Sequence, residues 1–111
     1  MGALARRGLE FHPGDVALIK ALGACLNQQG RYDEAVRLLE HALQREPGDD
    51  EILVPLGRAL LSLDQVERAR RVFEEALRVH AESTDALAGV AEALAREDRL
   101  SEAQGYVLRA L

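Results

Sequence analysis

The amino-acid sequence predicts an all-α fold, a solenoid of antiparallel helix hairpins with about three units and an N-terminal half unit, seven helices in all. Three observations carry that expectation. Sliding the chain along itself until Leu22-Gly23 falls on Leu56-Gly57 also lays Leu26, Ala35, Leu39, Ala42-Leu43 and Pro47 on Leu60, Ala69, Phe73, Ala76-Leu77 and Ala81. A second equal shift reaches Val90-Ala91, Leu94, Ala103, Val107 and Ala110-Leu111. Within each copy the apolar residues fall at the i, i+3, i+4, i+7 spacing of one helix face. Short turn signals then break each run, and connections this short force neighbouring helices to run antiparallel. Identity between the first two copies falls mostly on small or apolar residues, with Arg37 and Glu40 the charged ones that recur as Arg71 and Glu74, which is the distribution that packing produces.

In chain order, residues 1–15 read as the half unit. Leu4, Arg7/Gly8 and Phe11 stand at helical spacing before His12-Pro13-Gly14-Asp15 stops the run, so this stretch corresponds to the second helix of a unit. Residues 16–49 form the first full unit, with helices expected near 16–29 and 33–45 separated by Gly30-Arg31-Tyr32 and ended by Pro47-Gly48. Residues 50–83 repeat it with helices near 50–63 and 67–79, and residues 84–111 repeat it with helices near 84–97 and 101–111. Together they make one domain. Asp15, Asp49 and Ser83 lie one period apart, each just before an apolar-periodic run, and are the expected N-caps of the first helices. Ser101 with Gln104 reads as a capping box for the last helix. Pro55 inside a helix removes a ladder hydrogen bond at ~3 kcal/mol, so a bend or a late start is expected there.

Distance between helices explains the small residues. Gly23, Gly57 and Ala91 lie on the buried stripe where the two helices of a hairpin cross, and Ala35, Ala69 and Ala103 meet them from the second helix. Ala42, Ala76 and Ala110 then let the next hairpin stack.

Composition suits this architecture. At 111 residues, with 48% hydrophobic and 30% charged residues, the chain is long enough to bury roughly 65% of its unfolded surface without covalent staples. Aromatics are few, so Leu, Ala and Val must build the core. The net charge of −5 argues against nucleic acid or an anionic membrane as the main ligand. Cys25 is the single cysteine, which rules out an internal disulfide and reads as a small core residue. Neither a signal peptide nor an apolar run of membrane-spanning length is present, which favours a cytoplasmic chain while leaving the compartment open.

The motif Ile19-x-x-Leu22-Gly23-x-x-Leu26 with Ala35-x-x-x-Leu39, Ala42 and Pro47, and its echo Leu53-x-x-Leu56-Gly57-x-x-Leu60 with Ala69-x-x-x-Phe73 and Ala76, resemble the tetratricopeptide repeat. The likeness covers the chain from end to end in constant register, with Ala91 replacing Gly in the third unit. It implies a right-handed, superhelical solenoid whose first helices line a concave groove for peptides or protein segments. Some members of that family hold acidic C-terminal tails with a clamp of Lys, Asn and Arg; only Lys20 matches here, with Ala24, Pro55, Asp85 and Gly89 at the other places.

No residue pattern points to chemistry. His12, His41 and His80 lack acidic or thiol partners at ligand spacing, and no phosphate-binding loop is present, so neither enzyme activity, metal nor cofactor is expected. The face opposite the buried stripe is the candidate site. It holds Lys20, Ala21, Ala24 and Gln28 with Ala17 in the first unit, Glu51, Val54, Pro55, Arg58 and Ser62 in the second, and Asp85, Gly89, Glu92 and Arg96 with Ala88 in the third. Its middle is small and apolar and its ends are charged. A protein or peptide partner in this groove is one expectation. A bland solvated face with Arg58 and Glu92 neutralising each other is another. A third is structural: a homodimer through uncapped ends, or a chain excised from a longer array or from a larger enzyme's regulatory arm.

Overall fold

The computed structural model describes residues 16–111, and among them it holds six helices and no strand. They are α1 (Val16–Gln28), α2 (Tyr32–Arg45), α3 (Asp50–Ser62), α4 (Val66–Val79), α5 (Thr84–Arg96) and α6 (Leu100–Ala110). The expected seventh helix and the cap at Asp15 fall outside the described residues. Each helix packs on the next one in sequence, so α1–α2, α3–α4 and α5–α6 are three hairpins stacked into an elongated array of 46 × 24 × 19 Å.

The apolar stripe of every helix is buried against its neighbours. Leu39, Ile52, Leu53, Leu56, Leu60, Phe73, Val90 and Leu94 are the large core side chains, and Ala35, Ala42, Ala69 and Ala76 are wholly inaccessible. Gly23 and Gly57 stand at the crossings expected of them. A Cβ on Gly23 would come within 2.7 Å of Leu39 Cδ2, and one on Gly57 within 2.6 Å of Phe73 Cζ, so the first two hairpins close on glycine where the third closes on the buried Ala91. The Phe73 ring also fills the space beside Gly89 of α5 and ties the second hairpin to the third.

The turns inside the hairpins share one geometry. Gly30, Asp64 and Asp98, at the same place in successive units, all have φ between 63° and 76°, the left-handed conformation that ends a helix. The amide after each reaches back to the last turn, Arg31 to Leu26, Gln65 to Leu60 and Arg99 to Leu94, at 2.8–2.9 Å. Between hairpins the caps act as expected: Asp49 accepts from the Glu51 amide at 2.9 Å and Ser83 Oγ from the Ala86 amide at 3.2 Å.

Three expectations need correction. Helix α6 begins at Leu100, so Ser101 lies inside it and forms no capping box; the preceding Arg99 instead clasps Glu102 with two hydrogen bonds, as Arg31 clasps Glu34 before α2. Helix α3 starts directly after its Asp49 cap and runs through Pro55, so the late start is absent. Cys25 is exposed, because it sits one residue before the buried Leu26 and off the core stripe.

Candidate functional site

The first helices of neighbouring hairpins pack backbone against backbone, α1 with α3 and α3 with α5, whereas the backbones of α2 and α4, and of α4 and α6, stand farther apart, with the Arg68–Glu40 ion pair bridging α2 and α4. Spacing that is tight on one side and open on the other bends the stack, with α1, α3 and α5 on its inner side. Three adjoining hollows of about 590, 390 and 320 Å³ run along that side. All thirteen residues of the candidate groove line them. Lys20, Ala21, Glu51 and Asp85 border the first hollow; Ala24, Val54 and Pro55 are shared with the second, which adds Gln28. Arg58 and Ser62 bridge to the third, which also meets Asp85 and is completed by Gly89, Glu92 and Arg96.

Two side chains fasten the inner helices together across these hollows. Asn27 Nδ2 donates to the Pro55 carbonyl at 3.1 Å, joining α1 to α3, and Arg96 Nη1 donates to the Leu61 carbonyl at 2.8 Å, joining α5 to α3. The repeat pattern does not single out Asn27. Its position just after Leu26, at the edge of the stripe, is the one signal the sequence offers for it. Gly89 lines the third hollow, but it is also a packing glycine, since any side chain there would overlap the ring of Phe73.

The charges on this face pair differently from expectation. Arg58 binds Asp85 at 3.2 Å, and Glu92 binds Arg96 at 2.9 Å, one turn apart on α5, so Arg58 and Glu92 do not neutralise each other. Lys20 is surrounded by carboxylates. Its ammonium forms an ion pair with Asp49, with Glu51 at 3.5 Å and Glu46 at 3.9 Å. The hydrogen bond to Asp49 raises the Lys20 pKa above its ordinary value despite the opposing effect of desolvation. Burial pushes the Asp49 carboxyl up, but the bonds from Lys20 and from the Glu51 amide outweigh it and hold the group below the usual carboxylate range. Lys20, the one residue that matches the carboxylate clamp, is thus paired with acids of its own chain.

No group of three or more His, Cys, Asp or Glu residues able to hold a metal occurs among the described residues, and no described helix is long and apolar enough to cross a membrane.

The arrangement has clear counterparts. MamA of AMB-1 superposes with a TM-score of 0.86 at 27% identity over 97% of this chain and 59% of that one. MamA residues 41-end from Desulfovibrio magneticus RS-1 gives 0.87 at 20% identity, over 95% and 59%. The Yersinia enterocolitica type III secretion translocator chaperone SycD, described as an alternative dimer, gives 0.83 at 20% identity, over 86% and 72%. The chain thus spans about three fifths of the length of these MamA structures. No curated protein sequence matches it. One tetratricopeptide repeat family model matches residues 26–76, and a second matches residues 54–111, more than half of the chain. With its constant period, stacked hairpins and glycines at the crossings, this chain belongs to the tetratricopeptide repeat family.

Proposed function

We propose that the protein is a non-catalytic scaffold that binds a peptide or protein segment along the inner face of α1, α3 and α5. The observation that carries this reading is the continuity of the three hollows. They share Ala24, Val54, Pro55, Arg58, Ser62 and Asp85 in a run that reaches from Lys20 to Arg96, and their middle, Ala21, Ala24, Val54 and Pro55, is apolar and open enough to accept partner side chains. A family whose fold serves protein interaction supports the same conclusion. The test is a selection of random dodecapeptides displayed on phage against the full chain, followed by affinity measurement of synthetic copies. Ala24 is exposed and can become tyrosine without disturbing the core. Ala24→Tyr should abolish binding while Arg71→Glu on the outer face of α4 leaves it intact; full affinity in Ala24→Tyr would overturn the reading.

A second reading rests on a different face. Leu100, Val107 and Leu108 are 56%, 46% and 70% exposed beside an apolar hollow of about 620 Å³ between α5 and α6. Ala91, Ala95, Ala103 and Val107 of that hollow stand one period after Gly57, Leu61, Ala69 and Phe73, the surface on which α5 itself lies. A helix of a second copy is the occupant that this repetition favours, giving self-association. Light scattering of the full chain against concentration tests it. A dimer that Leu108→Glu converts to monomer supports it, and a monomer at millimolar concentration overturns it.

A further inference from the structure

We infer that the groove selects a basic segment, one whose Lys or Arg side chain enters the hollow at the start of α3 while small apolar side chains lie over Ala24, Val54 and Pro55. The inference rests on the groove reading above and names the chemistry of its partner. Around this hollow stand Asp50, Glu51 and Asp85 in its wall, with Asp49 and Glu46 gathered on Lys20 beside it. Among the described residues, five carboxylates therefore face one ammonium and the Arg58 guanidinium. Both cations are already engaged, Lys20 by Asp49 and Arg58 by Asp85. The surplus acids remain open to solvent, with the Glu51 side chain 79% and the Glu46 side chain 50% exposed, while Asp50 Oδ1 is buried against this wall without a hydrogen-bond donor.

The opposite end carries no such surplus. Arg96 is satisfied by Glu92 and by the Leu61 carbonyl, so the charges of the third hollow balance. The polarity of the groove is therefore acidic at one end, apolar in the middle and neutral at the other. An extended basic peptide crossing it places its cation near Glu51 and Asp50 and its apolar residues on the α1–α3 seam. An acidic peptide meets an excess of carboxylates over cations at the same place, and like charges suppress wrong partners. Because Glu46, Glu51 and Asp85 are largely exposed, the attraction must fall as salt rises.

The experiment uses the same dodecapeptide selection on the full chain, reading the composition of the enriched sequences and then fluorescence anisotropy of synthetic copies. The expected result is enrichment of Lys or Arg next to small apolar residues, binding that weakens between 50 and 500 mM salt, and affinity reduced about three- to tenfold in the Glu46→Gln, Glu51→Gln double variant. That variant alters two exposed side chains and is checked for an unchanged melting temperature. Acidic or uncharged sequences that lose binding in Ala24→Tyr would leave the groove reading standing and overturn this inference. Basic sequences indifferent to the double variant would also overturn it. Peptides unaffected by Ala24→Tyr, or no enrichment at all, would overturn both.

Discussion

Phe73 and Gly89 occupy one shared space: the ring, sent up from α4, lies where any side chain on Gly89 of α5 would have to stand. Replacing Gly89 by Ala therefore sets a methyl group against the flat of an aromatic ring that is itself 1% exposed and cannot retreat. Gly89→Ala should destabilise the fold by about 1–3 kcal/mol in thermal or urea unfolding, and adding Phe73→Leu should recover part of that loss. An additive result for the pair would show that ring and glycine do not compete. Gly105 gives the contrast, since a Cβ there meets nothing within 4 Å. Gly105→Ala should stabilise α6 by up to about 1 kcal/mol.

Asp64 and Asp98 hold the left-handed conformation that Gly30 takes at the same place in the first hairpin. An L side chain in that conformation costs about 1–2 kcal/mol, offset in glycine's case by roughly 0.5–1 kcal/mol of extra backbone entropy. Asp64→Gly and Asp98→Gly should each raise stability by up to about 1 kcal/mol, and Gly30→Ala should lower it by a similar amount. Denaturant midpoints at constant slope measure both.

Asp49 caps α3 through the Glu51 amide and anchors Lys20 of α1. Asp49→Ala should cost about 0.5–2 kcal/mol for the lost cap. Its folded carboxyl is held below the ordinary aspartate range, so its contribution is complete above about pH 4 and disappears as pH falls through the lowered folded value. Lys20, raised above its ordinary value, contributes fully below that value and loses its share only as pH climbs through the raised folded value. The difference in stability between wild type and Asp49→Asn should therefore shrink as pH falls below about 4, measured by urea unfolding across pH; a difference independent of acid would contradict the ion pair.

Pro55 leaves the Glu51 carbonyl without its usual intrahelical donor, yet its own carbonyl receives Asn27 from α1. Pro55→Ala restores the missing bond and should stabilise the fold by about 1–2 kcal/mol, part of the ~3 kcal/mol cost of an interior proline. A melting temperature that does not rise would mean that the helix has already absorbed the defect.

The hairpins were legible because recurrence and helical periodicity reinforce each other. Gly23 and Gly57 could be placed at crossings from Leu22 and Leu56 alone, and both lie there. Helix starts were less legible where the backbone, and not a short polar side chain, makes the first bonds. Ser101 has the composition of a cap but stands one residue inside α6, since the left-handed turn at Asp98 positions Arg99 first. Cys25 misled by size: a small residue next to a buried leucine need not be buried itself. The lining of the groove followed from helix geometry, but its charge pairing did not. Whether Arg58 meets Glu92 or Asp85 depends on how far α5 slides along α3, and that offset is set by Phe73 in the core and by Arg96 on the Leu61 carbonyl.

Helix α3 alone touches both α1 and α5, which do not meet each other. It acts as the spine of an open book: the two outer leaves can change their opening angle only by pivoting on its flanks, where Asn27 and Arg96 serve as the stitches. The aperture offered to a visitor thus depends on these two hydrogen bonds to backbone carbonyls of one rod, together with the Lys20–Glu51 and Arg58–Asp85 ion pairs across the same seams. Both stitches belong to the inner wall itself, so loosening either alters its reach and its lining together.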